Sequence, residues 1–260
     1  MEDLQAYYGQ DQEEDRLLAG EGRLEHERTM RLLARFVAPG SRVADVGGGT
    51  GRYAEWAEGL GCEVDLLDPV ELHVERARAR GLAAQVGDAR SLPWPDASFD
   101  AVLLLGPLYH LGERADRLRA LREAVRVCRP GGVVAAAAIS RLAPLLGQIR
   151  RGTIFDNAVF RNAWEETAGG RRVPLEQRQG PFPDAWFHLP EELRAELAEA
   201  GLDVRGVFGL EGPGWLANDL EARLDDPTAR ARLLELAERF ESDPNVLALS
   251  PHLLAVGVVA

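Results

Sequence analysis

The chain has 260 residues and a formal net charge of −12, which disfavours duplex nucleic acid as a partner, because binding it needs a basic face. Its 46% hydrophobic content suits one large α/β domain with a real core rather than a disordered chain. It contains no lysine, so neither a Walker-type phosphate loop nor a lysine Schiff base is possible, and no apolar run is long enough to span a bilayer.

Residues 1–40 read as a polar helix followed by an amphipathic one, stopped by Pro39-Gly40. The acidic start Met1-Glu2-Asp3-Leu4-Gln5 is no signal peptide, so the expected location is the cytoplasm. A regular alternation follows: strand 43–46, helix 52–59, strand 63–67, helix 70–79, strand 83–86, strand 100–105, helix 113–127 and strand 132–138. Strands alternating with helices imply a mostly parallel sheet covered on both faces.

The rhythm breaks after Ser140. Residues 141–187 hold mixed helix, the Gly169-Gly170 break and the Gly180-Pro181-Phe182-Pro183 turn. An excursion of this length in a compact fold reads as functional. The pattern resumes with a helix from Pro190 to Ala200, a strand at 203–210, helices over 216–241 and a last strand at 253–259. One domain is expected, divided into 1–40, a core at 41–140, the insertion 141–187 and a closing part 188–260. Cys62 and Cys128 lie far apart in apolar settings and read as core thiols.

The most telling stretch is Val43-Ala44-Asp45-Val46-Gly47-Gly48-Gly49-Thr50-Gly51. A β-rich run ends in an acid, then a glycine loop, then the helical pattern from Arg52. Glycines let the backbone approach a bulky ligand, and free N–H groups at the helix start face it. A nucleotide-like cofactor is therefore expected. Strand two ends in Leu66-Leu67-Asp68-Pro69, where a carboxylate can accept hydrogens from both ribose hydroxyls. A third acid stands in Val86-Gly87-Asp88-Ala89.

Asp45-x-Gly47-x-Gly49-x-Gly51 resembles motif I of the class I S-adenosylmethionine-dependent methyltransferases, of a bacterial small-molecule type. Phe99 to Leu105 resembles motif IV, and Leu121 to Gly132 the helix and turn before strand five. The resemblance covers about residues 40–140. It implies a Rossmann-like, seven-stranded, mostly parallel sheet with helices on both faces, the last strand antiparallel, an N-terminal helical lid and a helical insertion after strand five. It further implies S-adenosylmethionine as cofactor, held by Asp45, Gly47, Gly49, Gly51, Asp68, Pro69, Asp88, Ala89 and Leu105. Asp45 in the loop mouth suits the cofactor's cationic amino group, and Asp88 its adenine amino group.

The same resemblance sets Gly106-Pro107-Leu108-Tyr109-His110-Leu111 beside the reacting methyl. His110 and His188 are the candidate bases, since histidine is readily tuned to take a proton near neutrality. Tyr8, Tyr109 and Trp186 are the candidate substrate contacts. His26 and His73 lie between charged residues in helical runs and are expected at the surface, while His252 is expected to be structural. The histidines show no metal spacing, so no metal site is expected. A small-molecule acceptor is the leading expectation. Alternatives are an RNA or protein acceptor, an NAD(P)-dependent oxidoreductase, since Gly49-x-Gly51-x-x-Ala54 also fits a dinucleotide loop, and a non-catalytic cofactor-binding module.

Overall fold

The computed structural model describes residue 17 and residues 20–172 and 184–260. Tyr8, the other residues of the first segment up to 16, and the Gly180–Pro183 turn lie outside the described residues. Ten α-helices are described: α1 (Gly20–Leu33), α2 (Arg52–Gly59), α3 (Glu71–Ala79), α4 (Pro107–His110), α5 (Arg114–Val127), α6 (Ala143–Arg150), α7 (Asn157–Gly169), α8 (Pro190–Glu199), α9 (Leu220–Asp225) and α10 (Pro227–Phe240). The strands are β1 (Arg42–Val46), β2 (Glu63–Asp68), β3 (Ala83–Val86), β4 (Phe99–Leu104), β5 (Cys128–Ser140), β6 (Phe187–His188), β7 (Leu202–Gly209) and β8 (His252–Val259).

The sheet order is β3-β2-β1-β4-β5-β8-β7. Pairing is parallel from β3 through β5, and β8 runs antiparallel to both β5 and β7. The expected seven-stranded order with an opposed last strand is therefore present. The addition is β6, two residues that pair in parallel with Ile139 and Ser140 of β5. These lie beyond Ala136, the last β5 partner of β4.

The strands are apolar because helices cover both faces of the sheet. Alternation along β1 sends Ala44 and Val46 into one core and Val43 into the other. The first core packs Phe99, Leu121, Leu193 and Leu253; the second packs Tyr53, Ala54, Leu66 and Leu103. A smaller cluster of Leu24, Trp215, Leu220, Leu224 and Leu233 joins α1 to α9 and α10. Cys62 and Cys128 are buried and free, and burial pushes the Cys128 thiol up to about 12. No helix among the described residues is long and apolar enough to cross a membrane.

Candidate functional site

The carboxyl ends of β1, β2 and β4 open onto one cavity of about 350 Å³. In open α/β sheets this is where the strand order reverses and loops diverge to leave a crevice. The glycine loop forms its floor. Gly47, Gly49 and Gly51 have φ of 72°, 58° and 95°, a region that costs any residue with a Cβ. Among the described residues nothing lies within 4 Å of where a Cβ on Gly49 would sit, and Gly49 lines the cavity. Gly51 begins α2, and a Cβ there would run into the Leu82 side chain. Gly51 thus seats the helix rather than lining the cavity.

Asp45 lies under this floor, not in its mouth. It is fully buried and is not among the cavity-lining residues. A Cβ on Gly48, which does line the cavity, would come within 2.5 Å of its Oδ2. Neither carboxylate oxygen has a hydrogen-bond partner. Burial, and next the charge of Asp68, raise its carboxyl to about 7; the Ala54 amide pulls weakly the other way without completing a hydrogen bond. A buried, unpartnered carboxylate one glycine below the cavity fits a cationic cofactor by its field rather than by contact. This revises the expected direct contact with an amino group.

Asp68 ends β2 and lines the cavity. Its Oδ2 accepts from the Gly49 amide at 2.9 Å; its Oδ1 accepts from the Val70 amide at 2.9 Å and lies 3.1 Å from His73 Nδ1. Pro69 and Ala89 line the wall with it, as does Leu105. Asp88 also lines the cavity, but Arg90 occupies it: the guanidinium reaches Asp88 Oδ2 at 2.6 Å and Asp116 Oδ2 at 2.9 Å. The Arg90 hydrogen bonds hold the Asp88 carboxyl below its usual range. The Arg90 amide also bonds Asp88 Oδ1 at 2.8 Å, so Asp88 closes its own turn as well.

Tyr109 and His110 stand on the short α4 after β4, and both line the cavity. Their ring centroids are 4.5 Å apart. Further wall residues include Glu25 of α1, Arg52 and Tyr53 of α2, and Arg171 with Asp184.

Two further expected site residues, besides Asp45 and Gly51, lie outside the cavity lining. His188 is fully buried on β6, outside the cavity lining, with Nε2 3.3 Å from Glu196 Oε2. Burial pushes its imidazole down, outweighing the opposing pull of Glu196. It cannot meet an acceptor and serves the packing of α8. Trp186 is also outside the lining; its ring lies 4.6 Å from the Arg117 guanidinium and 5.4 Å from that of Arg141. These two cations, not the cavity, are the charged partners of the indole.

Histidines near charged residues were also misplaced by the surface expectation. His26 is half-buried against Tyr53, with ring centroids 5.1 Å apart. His73 is buried and lines the cavity. The available signal was positional: His73 shares the buried face of α3 with Ala77, one turn on, and opens the helix that follows Asp68. His252 matches its structural expectation in one respect, since its Nδ1 lies 2.6 Å from buried Glu211. With Glu25 these form one group of three potential ligand atoms within 4.8 Å of one another, and Glu211 Oε2 is committed to the Ser250 hydroxyl at 2.6 Å.

Comparison with known proteins adds four relationships. Residues 44–136 match the methyltransferase-domain family. A segment of 106 residues is 42% identical to the probable tRNA methyltransferase 9B of Mus musculus; it spans 40% of this chain and 23% of that protein's length. A longer segment is 33% identical to the demethylmenaquinone methyltransferase of Renibacterium salmoninarum, over 65% of this chain and 66% of the relative. A solved structure described as a possible histamine N-methyltransferase from Thermotoga maritima has the same fold, with a TM-score of 0.60 and 20% identity, covering 100% of this chain and 99% of that one.

Proposed function

Because this chain belongs to the class I S-adenosylmethionine-dependent methyltransferases, we propose that it transfers a methyl group from that cofactor to a small-molecule acceptor. One observation carries this reading: a single cavity runs from the bare glycine loop and Asp68 to the Tyr109–His110 pair. S-adenosylmethionine, when bound, supplies a methyl already activated on its sulfonium. The glycine loop, Asp68, Pro69, Asp88, Ala89 and Leu105 are the residues that would hold it. Asp45 adds negative potential from below.

The remaining residues act on the acceptor. Alignment and exclusion of water suffice for an amine. A hydroxyl or ring nitrogen gains from a base, and His110 is the candidate base that reaches the cavity. Tyr109 offers an aromatic face to a ring or a cation. Trp186 and His188 take no part in this reading.

The test incubates the protein with methyl-labelled S-adenosylmethionine and a metabolite extract, followed by mass analysis. A small molecule should gain one methyl while S-adenosylhomocysteine accumulates. Calorimetry showing no uptake of either adenosyl compound, with tight binding of a nicotinamide coenzyme, would overturn it.

A second reading, an RNA acceptor, is favoured by the 42% identity to a probable tRNA methyltransferase. That identity spans only 40% of this chain, and the net charge of −12 opposes a polyanion. A parallel incubation with bulk tRNA separates the two readings by where the label settles.

A further inference from the structure

We propose that His73 is a positioning residue that restricts Asp68 to one ribose hydroxyl of the cofactor. This rests on the S-adenosylmethionine reading of the cavity and deepens it.

A carboxylate only accepts hydrogen bonds while ionised, and each of its oxygens offers two lone pairs. On Asp68, Oδ1 takes the Val70 amide at 2.9 Å and His73 Nδ1 at 3.1 Å. That oxygen is full. Its Oδ2 takes the Gly49 amide at 2.9 Å and keeps one lone pair. Both side chains are buried, and both line the cavity. The carboxylate that would bind two hydroxyls side by side therefore has room for one.

The geometry also assigns the imidazole proton. Facing an acceptor-only oxygen, Nδ1 must carry hydrogen. The Asp68 carboxylate is fixed at three points, on the glycine loop, at the start of α3 and on the first turn of that helix. His73 supplies the third, and it is the one that a side-chain change can remove.

The test is calorimetric and needs no turnover. S-adenosylhomocysteine and its 2′-deoxy and 3′-deoxy counterparts are titrated into the full-length wild-type protein, His73→Ala and His73→Asn. Wild type should lose about tenfold or more in affinity on deletion of one hydroxyl and less than about threefold on deletion of the other. Removing the imidazole frees Oδ1, so His73→Ala should become sensitive to both deletions. The asparagine amide can replace the Nδ1 donor, so His73→Asn should keep the wild-type asymmetry. Equal penalties in the wild type, or an asymmetry unchanged in His73→Ala, would overturn the proposal while leaving the cofactor reading intact. Failure of the wild type to bind any of the three ligands would instead defeat the cofactor reading, and this proposal with it. The wild-type comparison stands even if the alanine variant does not fold.

Discussion

The backbone N–H of Trp186 donates to the carbonyl oxygen of Tyr109 at 2.8 Å. The end of the insertion is thereby tied to α4, which carries the cavity-lining Tyr109, while the indole itself lies beside the Arg117 and Arg141 guanidiniums. The contribution of Trp186 to the site is through the main chain, which every substitution except proline preserves. Trp186→Ala should lower stability by about 2–4 kcal/mol through lost packing. Denaturant unfolding measures this, and calorimetry with S-adenosylhomocysteine should find affinity unchanged within about threefold. A large loss of acceptor affinity with unchanged stability would return the ring to the binding site.

His110 and His188 should separate cleanly. His110→Ala should slow methylation of a hydroxyl or ring-nitrogen acceptor by about 100-fold or more and leave the melting temperature near wild type. His188→Ala should do the reverse, because it empties a sealed position beside Glu196. Rates and thermal melts of the two variants, compared side by side, decide the assignment.

Asp45 sets a pH dependence of stability. Its ordinary value is 3.8 and burial raises it to about 7 in the fold. Between those values the folded protein keeps the proton and the unfolded chain has lost it. Stability from this residue therefore declines as pH rises through that window and levels off above about 7. Asp45→Asn removes the titration. It should flatten the decline and exceed wild type by ~1–3 kcal/mol at pH 8, read from urea unfolding across the window. A wild-type profile parallel to that of the variant would refute the buried-charge assignment.

Glu196 contributes with the opposite sign. Burial pulls its carboxyl up, but hydrogen bonds from His188 and Arg117 outweigh that and hold it at about 2. Its stabilisation is present above its ordinary value of 4.5 and is lost as pH falls toward 2. Glu196→Gln leaves the fully buried Arg117 without its charge partner and should cost about 3–5 kcal/mol. Melts at pH 7 and pH 3 should show the variant's deficit shrinking in acid.

Much of the fold was legible because both faces of the sheet are covered, which turns strands into apolar runs such as Val102-Leu103-Leu104 that no surface element imitates. The glycine loop and Asp68 were legible for a related reason: positive φ at Gly47, Gly49 and Gly51 leaves few other residues possible. What escaped was set by contacts distant in sequence. His188 reads from the sequence as a candidate base, yet its neighbours are Glu196 and, through Glu196, Arg117. Trp186 looked like a pocket wall until Arg117 and Arg141 closed on it. Asp45 reads from the sequence as sitting in the loop mouth, but it belongs to β1, and strand alternation turns it inward beneath Gly48.

The two-residue strand β6 has a consequence for how such a protein changes over time. Phe187 sits opposite Ile139, and the Arg141 amide donates to the His188 carbonyl at 2.8 Å. The excursion thus leaves and rejoins the sheet at one point, like a handle fixed at both ends. Lengthening or exchanging the chain between those anchors costs little closure entropy and leaves the glycine loop and its acids undisturbed. Exchange of this handle is a route by which the surroundings of Tyr109, tied to Trp186 by its main chain, can change while the sheet stays as it is.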